Sequence, residues 1–131
     1  MIVEVKNDQM TPVQRAYLAT QKLGRLATID ASGVPQNNPV GFRVNDDGTI
    51  DIGGYGMEKS RKYRNVAIND KVAFIVDDVV LDPWTARFVE MRGVAIQIPD
   101  GTPPFEGQST ALIRIQPRQI ISYGLGEETA G

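Results

Sequence analysis

Residues 25–54 read RLATIDASGVPQNNPVGFRVNDDGTIDIGG. Leu26-Ala27-Thr28-Ile29 is rich in strand formers and runs into Asp30-Ala31-Ser32-Gly33, a cluster of residues that favours chain reversal. A second strand is expected from about Asn38 to Val44, a second turn at Asn45-Asp46-Asp47-Gly48, and a third strand over Thr49–Gly53. Connections this short join neighbours antiparallel, so the stretch predicts a three-stranded meander. The chain is therefore expected to be mainly β.

Upstream, Thr11-Pro12 has the form of a helix start, with Thr at the N-cap and Pro at the first helical position. Val13, Ala16, Tyr17 and Thr20 keep helical spacing, and Gly24 is expected to end the segment. Downstream, Gly53-Gly54-Tyr55-Gly56 breaks the strand pattern, and a helix of about ten residues is expected from near Ser60, with Tyr63, Val66 and Ala67 on one face. Lys71 to Asp77 is a continuous apolar strand that suggests cover on both faces. Phe88–Ile98 is a long strand interrupted by Gly93, Pro99–Thr110 an exposed loop, and Ile113–Tyr123 a last strand bent or bulged at Pro117. About six antiparallel strands with short helices in so short a chain favour a small barrel, because closure removes edge strands. One domain over residues 1–131 is expected, with 1–10 and 125–131 as loose tails.

Composition narrows the chemistry. Among 131 residues there are 14 Lys+Arg and 16 Asp+Glu, with no His and no Cys. Disulfides, thiolate nucleophiles and cysteine-ligated metals are excluded, as are a Ser-His-Asp triad, histidine metal ligation and imidazole acid–base catalysis. No metal site is expected. A chain that does chemistry with the remaining residues borrows it from a cofactor. The net charge of −2 argues against a nucleic-acid binder. The longest apolar run, Val72–Val76, falls far short of the roughly 20 residues that span a membrane. The opening Met1-Ile2-Val3-Glu4-Val5-Lys6 has no signal-peptide pattern, so a cytoplasmic location is expected.

The most informative stretch is Glu58-Lys59-Ser60-Arg61-Lys62-Tyr63-Arg64-Asn65, which holds four of the fourteen basic residues. Ser60 can cap the helix, and Arg61, Lys62 and Arg64 then crowd its N-terminus. The helix macrodipole disfavours cations there by ~0.3–1 kcal/mol each, a cost that makes sense if an anion normally sits at that end. A solvated basic face is the plain alternative. The preceding glycines would allow a ligand close to the backbone, although neither a P-loop nor a dinucleotide fingerprint is present. In Gln36-Asn37-Asn38-Pro39-Val40-Gly41-Phe42, amides precede an apolar strand, and such donors and acceptors suit a heteroaromatic ring as well as an ordinary turn. Trp84 lies in the loop Asp82-Pro83-Trp84-Thr85, where its ring could cover a ligand, plug an interface or cap the core. Arg92, flanked by apolar strand residues, calls for a partner: Glu90, another acid or a ligand phosphate.

The ordered set of these segments resembles the split β-barrel, pyridoxamine-5′-phosphate-oxidase-like family of flavin-binding proteins. It is most similar to the branch that uses the deazaflavin coenzyme F420. Gly24–Thr28 through Pro35–Phe42, and Asp51–Gly56 through Asn65, carry the likeness, which extends over roughly residues 11–124. The resemblance implies an FMN-binding-protein-like split barrel and a homodimer with cofactor sites at the subunit interface. It implies that Lys62 and Asn65 hold the cofactor phosphate with Ser60 and Arg61 beside them. Asn38, Pro39 and Val40 would lie along the ring, Gly54 and Tyr55 would face the phosphoribityl chain, and Trp84 and Arg92 would come from the other subunit. The implied activity is F420-dependent hydride transfer to an unsaturated or conjugated small molecule. An FMN-binding oxidoreductase of the same fold and a non-catalytic flavin or deazaflavin carrier are the alternatives. The chain lacks the substrate-phosphate pattern of true pyridoxamine-phosphate oxidases, so vitamin-B6 oxidation is not implied.

Overall fold

The computed structural model describes residues 2–5 and 9–126. Seven strands and two helices follow one another as β1 (Ile2–Val5), α1 (Pro12–Ala19), β2 (Gly24–Ile29), β3 (Pro35–Val44), β4 (Ile50–Gly53), α2 (Arg61–Ile68), β5 (Lys71–Val80), β6 (Thr85–Ile98) and β7 (Leu112–Tyr123). The sheet runs β1-β7-β4-β3-β2-β5-β6, and β6 pairs back onto β7, so β2 to β7 close a six-stranded antiparallel ring. The expected meander is present as β2-β3-β4, a second one forms from β5-β6-β7, and α2 connects them. β4 pairs with Ile113–Ile115 of β7, while β1 pairs with Ile120–Tyr123 of the same strand. The barrel is split at that point.

Alternation along the strands points Leu26, Phe42, Ile52, Phe74, Val76, Met91, Ile115 and Ile120 inward, all of them buried. Phe42 and Phe74 meet edge to face at 5.4 Å between ring centroids. Each such side chain contributes about 1.5–3 kcal/mol of transfer free energy. α1 begins as expected: Thr11 Oγ1 accepts from the Gln14 amide, Gln14 Oε1 accepts from the Thr11 amide, and Pro12 follows the cap. Tyr17 on this helix donates to Asp78 Oδ1 at 2.9 Å, and Arg87 grips the same carboxylate through Nε and Nη2. The helix is thereby tied to the β5–β6 hairpin.

Four expectations need correction. α1 ends at Ala19 with Thr20 as its C-cap, and Gly24 instead opens β2. A Cβ at Gly24 would lie 2.4 Å from the Phe74 ring, so the glycine makes room for that ring rather than terminating a helix. Residues 2–5, expected to be part of a loose tail, form β1, because the free edge of β7 beyond β4 accepts a further strand. Met10 and Leu125 pack against the core; residues 6–8 and 127–131 lie outside the described residues. The β5 side chains are covered on one face only: Val72, Phe74 and Val76 are buried, whereas Ala73 and Ile75 on the outer face are half-buried.

The bend expected at Pro117 is a β-bulge. Arg92 faces Gln119 and Gly93 faces Pro117, which leaves Arg118 as the extra residue on β7. A Cβ at Gly93 would lie 2.1 Å from the Gln116 carbonyl oxygen, so the strands approach as closely as only glycine allows. On the other side of β7, Arg43, Asp51 and Arg114 form a cross-strand row over β3, β4 and β7. Asp51 is fully buried. It accepts from Arg114 at 2.7 and 3.0 Å and from Arg43 at 2.5 Å. Burial opposes ionisation of this carboxyl, but the hydrogen bonds from Arg114 and Arg43 outweigh it and hold its pKa below the usual carboxylate range.

Candidate functional site

The site is built on the start of α2. Ser60 stands in extended conformation at the N-cap, and its Oγ accepts from the Tyr63 amide at 3.2 Å. Tyr63 and Val66 bury against the barrel, and Gln97 of β6 donates to the Tyr63 carbonyl at 2.8 Å. This fixes the helix with Arg61 and Arg64 exposed and Lys62 half-buried. Among the described residues no carboxylate pairs with any of the three. Partial burial lowers the Lys62 pKa, the signature of an ammonium drawn out of water without a compensating anion.

Arg61 and Lys62 face Gln36, Asn37, Asn38 and Pro39 of β3 across a pocket of about 650 Å³. An adjoining pocket shares Gln36 and Arg61 and adds Asp30, Ser32, Arg64 and Asn65. Cations and side-chain amides thus converge from a helix N-terminus and a strand. This donor set fits a phosphate and the polar edge of a ring. The structure brings Asn38, Pro39, Arg61 and Lys62 around one pocket, and Ser60 caps the helix that carries the last two.

The remaining expected residues are placed differently. Asn65 is 5% exposed and turns inward: its Nδ2 donates to Thr28 Oγ1 at 3.0 Å and to Gln36 Oε1 at 2.8 Å. Val40 is in the core, so only its backbone faces outward. Gly54 and Tyr55 do not line the pocket of Arg61 and Lys62. Their loop is held by Ser109, whose amide donates to the Gly54 carbonyl and whose Oγ accepts from the Gly56 and Met57 amides. The glycines here accommodate the chain's own 99–110 loop, since a Cβ at Gly53 would collide with Gln108 and Pro104. Trp84, at the tip of the β5–β6 hairpin, is 70% exposed and lines neither pocket. Arg92 finds the Glu90 partner considered from sequence, with Nε donating to Oε2 at 2.9 Å.

Arg92 also borders a separate cavity of about 550 Å³ on the outer face of β2, β5, β6 and β7. Its walls are mostly apolar, including Ala27, Ile29, Ala73 and Val94, with Lys71 and Arg118 at its edge. Sequence reading missed Lys71 and Arg118. The signal for Arg118 was its position after Pro117, where a bulge turns a side chain out of alternation.

Residues 10–121 match the profile of the pyridoxamine 5′-phosphate oxidase family. The chain belongs to that family. Within it, a relative from Streptomyces rimosus named 5a,11a-dehydrotetracycline/5a,11a-dehydrooxytetracycline reductase is 45% identical over 118 residues, covering 88% of this chain and 83% of the relative. Two solved structures share the split-barrel fold. A conserved hypothetical protein from Mycobacterium tuberculosis has a TM-score of 0.70 at 22% identity, covering 97% of this chain and 96% of that one. A protein from Mycobacterium smegmatis described as an FAD binding protein has a TM-score of 0.70 at 22% identity, covering 94% and 98%. The fold and the reductase relative make this member of the pyridoxamine 5′-phosphate oxidase family an oxidoreductase. Among the described residues no helix is long and apolar enough to cross a membrane.

Proposed function

We propose that the chain is an F420-dependent oxidoreductase that reduces a conjugated, unsaturated small molecule. The observation that carries this reading is the half-buried Lys62, with Arg61 and Arg64 beside it, lacking any carboxylate partner among the described residues and facing the amides of β3. In this reading Lys62, Arg61 and the first amides of α2 hold the cofactor phosphate. Asn38 and the backbone through Pro39 and Val40 orient the ring. The surplus of Lys59, Arg61 and Arg64 suits the acidic tail by which F420 differs from FMN. When bound, the cofactor supplies the hydride, and the chain needs no His or Cys for that step.

The mostly apolar cavity beside β6 supports a flat hydrophobic substrate, and the reductase relative supports a polycyclic one with a conjugated double bond. A homodimer completes the proposal. Ile75, Phe88, Ile121 and Tyr123 lie half-buried on the outer face of the sheet, and Leu81 and Trp84 are exposed on a projecting hairpin. Such a face and arm suit a second copy, which would bring Trp84 and Arg92 to its partner's site.

FMN is the second reading, favoured by the same phosphate-fitting donor set. Titrating purified protein with F420 and FMN side by side, by fluorescence and calorimetry, separates the two. Micromolar or tighter binding of F420, weaker binding of FMN and hydride transfer to a conjugated acceptor are expected. Binding of neither cofactor overturns the proposal; binding without transfer to any of a broad panel of acceptors points to a carrier.

A further inference from the structure

We propose that Asn65 is a positioning residue and that Gln36 is the phosphate-facing donor it sets. The identity of the ligand rests on the cofactor reading above; the polarity of Gln36 does not. Asn65 is 5% exposed and Thr28 is 1% exposed, so this pair lies beneath α2, away from solvent. The Asn65 amide nitrogen has two hydrogens. One goes to Thr28 Oγ1 at 3.0 Å and the other to Gln36 Oε1 at 2.8 Å.

With its oxygen held from within, Gln36 keeps its Nε2 hydrogens for the pocket, and among the described residues no acceptor takes them. Gln36 borders both pockets that Arg61 borders. A neutral donor beside uncompensated cations forms a site for an anionic oxygen. A carboxamide turned the other way would present an acceptor there and weaken the same site. Asn65 therefore acts through Gln36: it fixes which end of that amide a phosphate oxygen of the cofactor meets.

The choice of asparagine follows from this polarity. Aspartate at position 65 offers only acceptors, so Gln36 would turn its nitrogen inward to meet it and its oxygen outward. Glutamate at position 36 would accept from Asn65 just as glutamine does, yet would place a second oxygen toward the ligand. Asn65→Asp and Gln36→Glu thus change the same outward-facing group by two routes, and only the first alters the buried amide.

The test compares each cofactor with its phosphate-free core: FMN with riboflavin, and F420 with the ribityl deazaflavin that lacks phosphate and acidic tail. Wild type, Asn65→Asp, Gln36→Glu and Thr28→Val are titrated with whichever pair wild type binds, with inorganic phosphate as a third probe and thermal melts alongside. Asn65→Asp and Gln36→Glu should weaken the phosphorylated ligand by about tenfold or more and its phosphate-free core by less than about twofold. Thr28→Val should weaken the phosphorylated ligand by about twofold to threefold. Gln36→Glu should melt like wild type, which keeps the test valid if Asn65→Asp fails to fold. Unchanged binding in Gln36→Glu, or equal loss of the phosphorylated and phosphate-free ligands, overturns the inference and leaves the cofactor reading standing. If wild type binds inorganic phosphate in a Gln36-dependent way but neither cofactor, the cofactor reading falls and the donor assignment stands. If wild type binds none of these probes, both fall.

Discussion

Two charged clusters of this barrel are built from similar residues and end in opposite states. In the row Arg43–Asp51–Arg114, a fully buried carboxylate is met by two guanidinium groups from the neighbouring strands. At the start of α2, Arg61, Lys62 and Arg64 gather where the helix dipole disfavours them, and among the described residues no carboxylate answers. The first cluster is complete within one chain, so its charges hold strands together. The second is incomplete, and what completes it must come from outside. The contrast separates a structural charge from a functional one without reference to any relative.

Substitutions can break each side of this contrast separately. Asp51→Asn should have the largest effect, destabilising the fold by about 3 kcal/mol in chemical denaturation, because two half-buried guanidinium groups lose their anion. It should leave cofactor affinity unchanged. The Asp51 carboxyl has a lowered folded-state pKa, so its stabilisation is present at neutral pH and is lost as pH falls below about 4 and through the folded value. Asp51→Asn should therefore flatten the acid limb of a stability-versus-pH curve. Lys62→Ala should do the reverse: about 2 kcal/mol of cofactor affinity lost, roughly 30-fold by titration, with no loss of melting temperature.

The Lys62 ammonium has a lowered pKa, so cofactor affinity should decline as pH rises through that value, although loss of the same proton removes a desolvation cost and so does not itself lower the melting temperature. The decline should be absent in Lys62→Ala. The smallest expected effect is that of Arg64→Glu. Exchanging a misplaced cation for an acid in the first turn should stabilise the protein by about 0.5 kcal/mol while weakening cofactor binding by about twofold to fivefold.

Local signals made most of the fold legible. Asp30–Gly33 and Asn45–Gly48 reverse the chain where expected, and in each turn the first residue's amide donates to the carbonyl of Val34 or Thr49 while the amide of Gly33 or Gly48 donates back to the carbonyl of Asp30 or Asn45. Thr11-Pro12 and Ser60 start the two helices. What sequence reading missed depends on neighbours distant in the chain. Gly24 reads from sequence as a helix end because the reason for it, the Phe74 ring, lies fifty positions away. β1 was missed because its pairing needs the edge of β7 that β4 leaves open.

Site residues divide in the same way. Arg61 and Lys62 could be placed from the helix that carries them. Whether Asn65 faces ligand or core depends on Thr28 and Gln36 of the β2–β3 hairpin, paired with each other in register. The Gly53–Gly56 corner pointed to a ligand because the 99–110 loop that fills it was invisible in its own composition.

The extra residue at Arg118 has a consequence for how this strand can change over time. On β7, Ile113, Ile115 and Pro117 are buried before the bulge, and Ile120 and Ser122 after it, so the inward set passes from odd to even positions. Arg118 acts on the strand as a single inserted base acts on a reading frame. Inserting a second residue beside it, or deleting one of its regularly paired neighbours, would swap everything downstream, sending Ile120 and Ser122 outward and Ile121 and Tyr123 into the interior, whereas deleting Arg118 itself would restore plain alternation with the same inward set. β7 can therefore tolerate many replacements at position 118, and even the loss of that residue, but no insertion there, and other insertions or deletions among descendants of this barrel should be found in the 99–110 loop rather than in the strand that follows it.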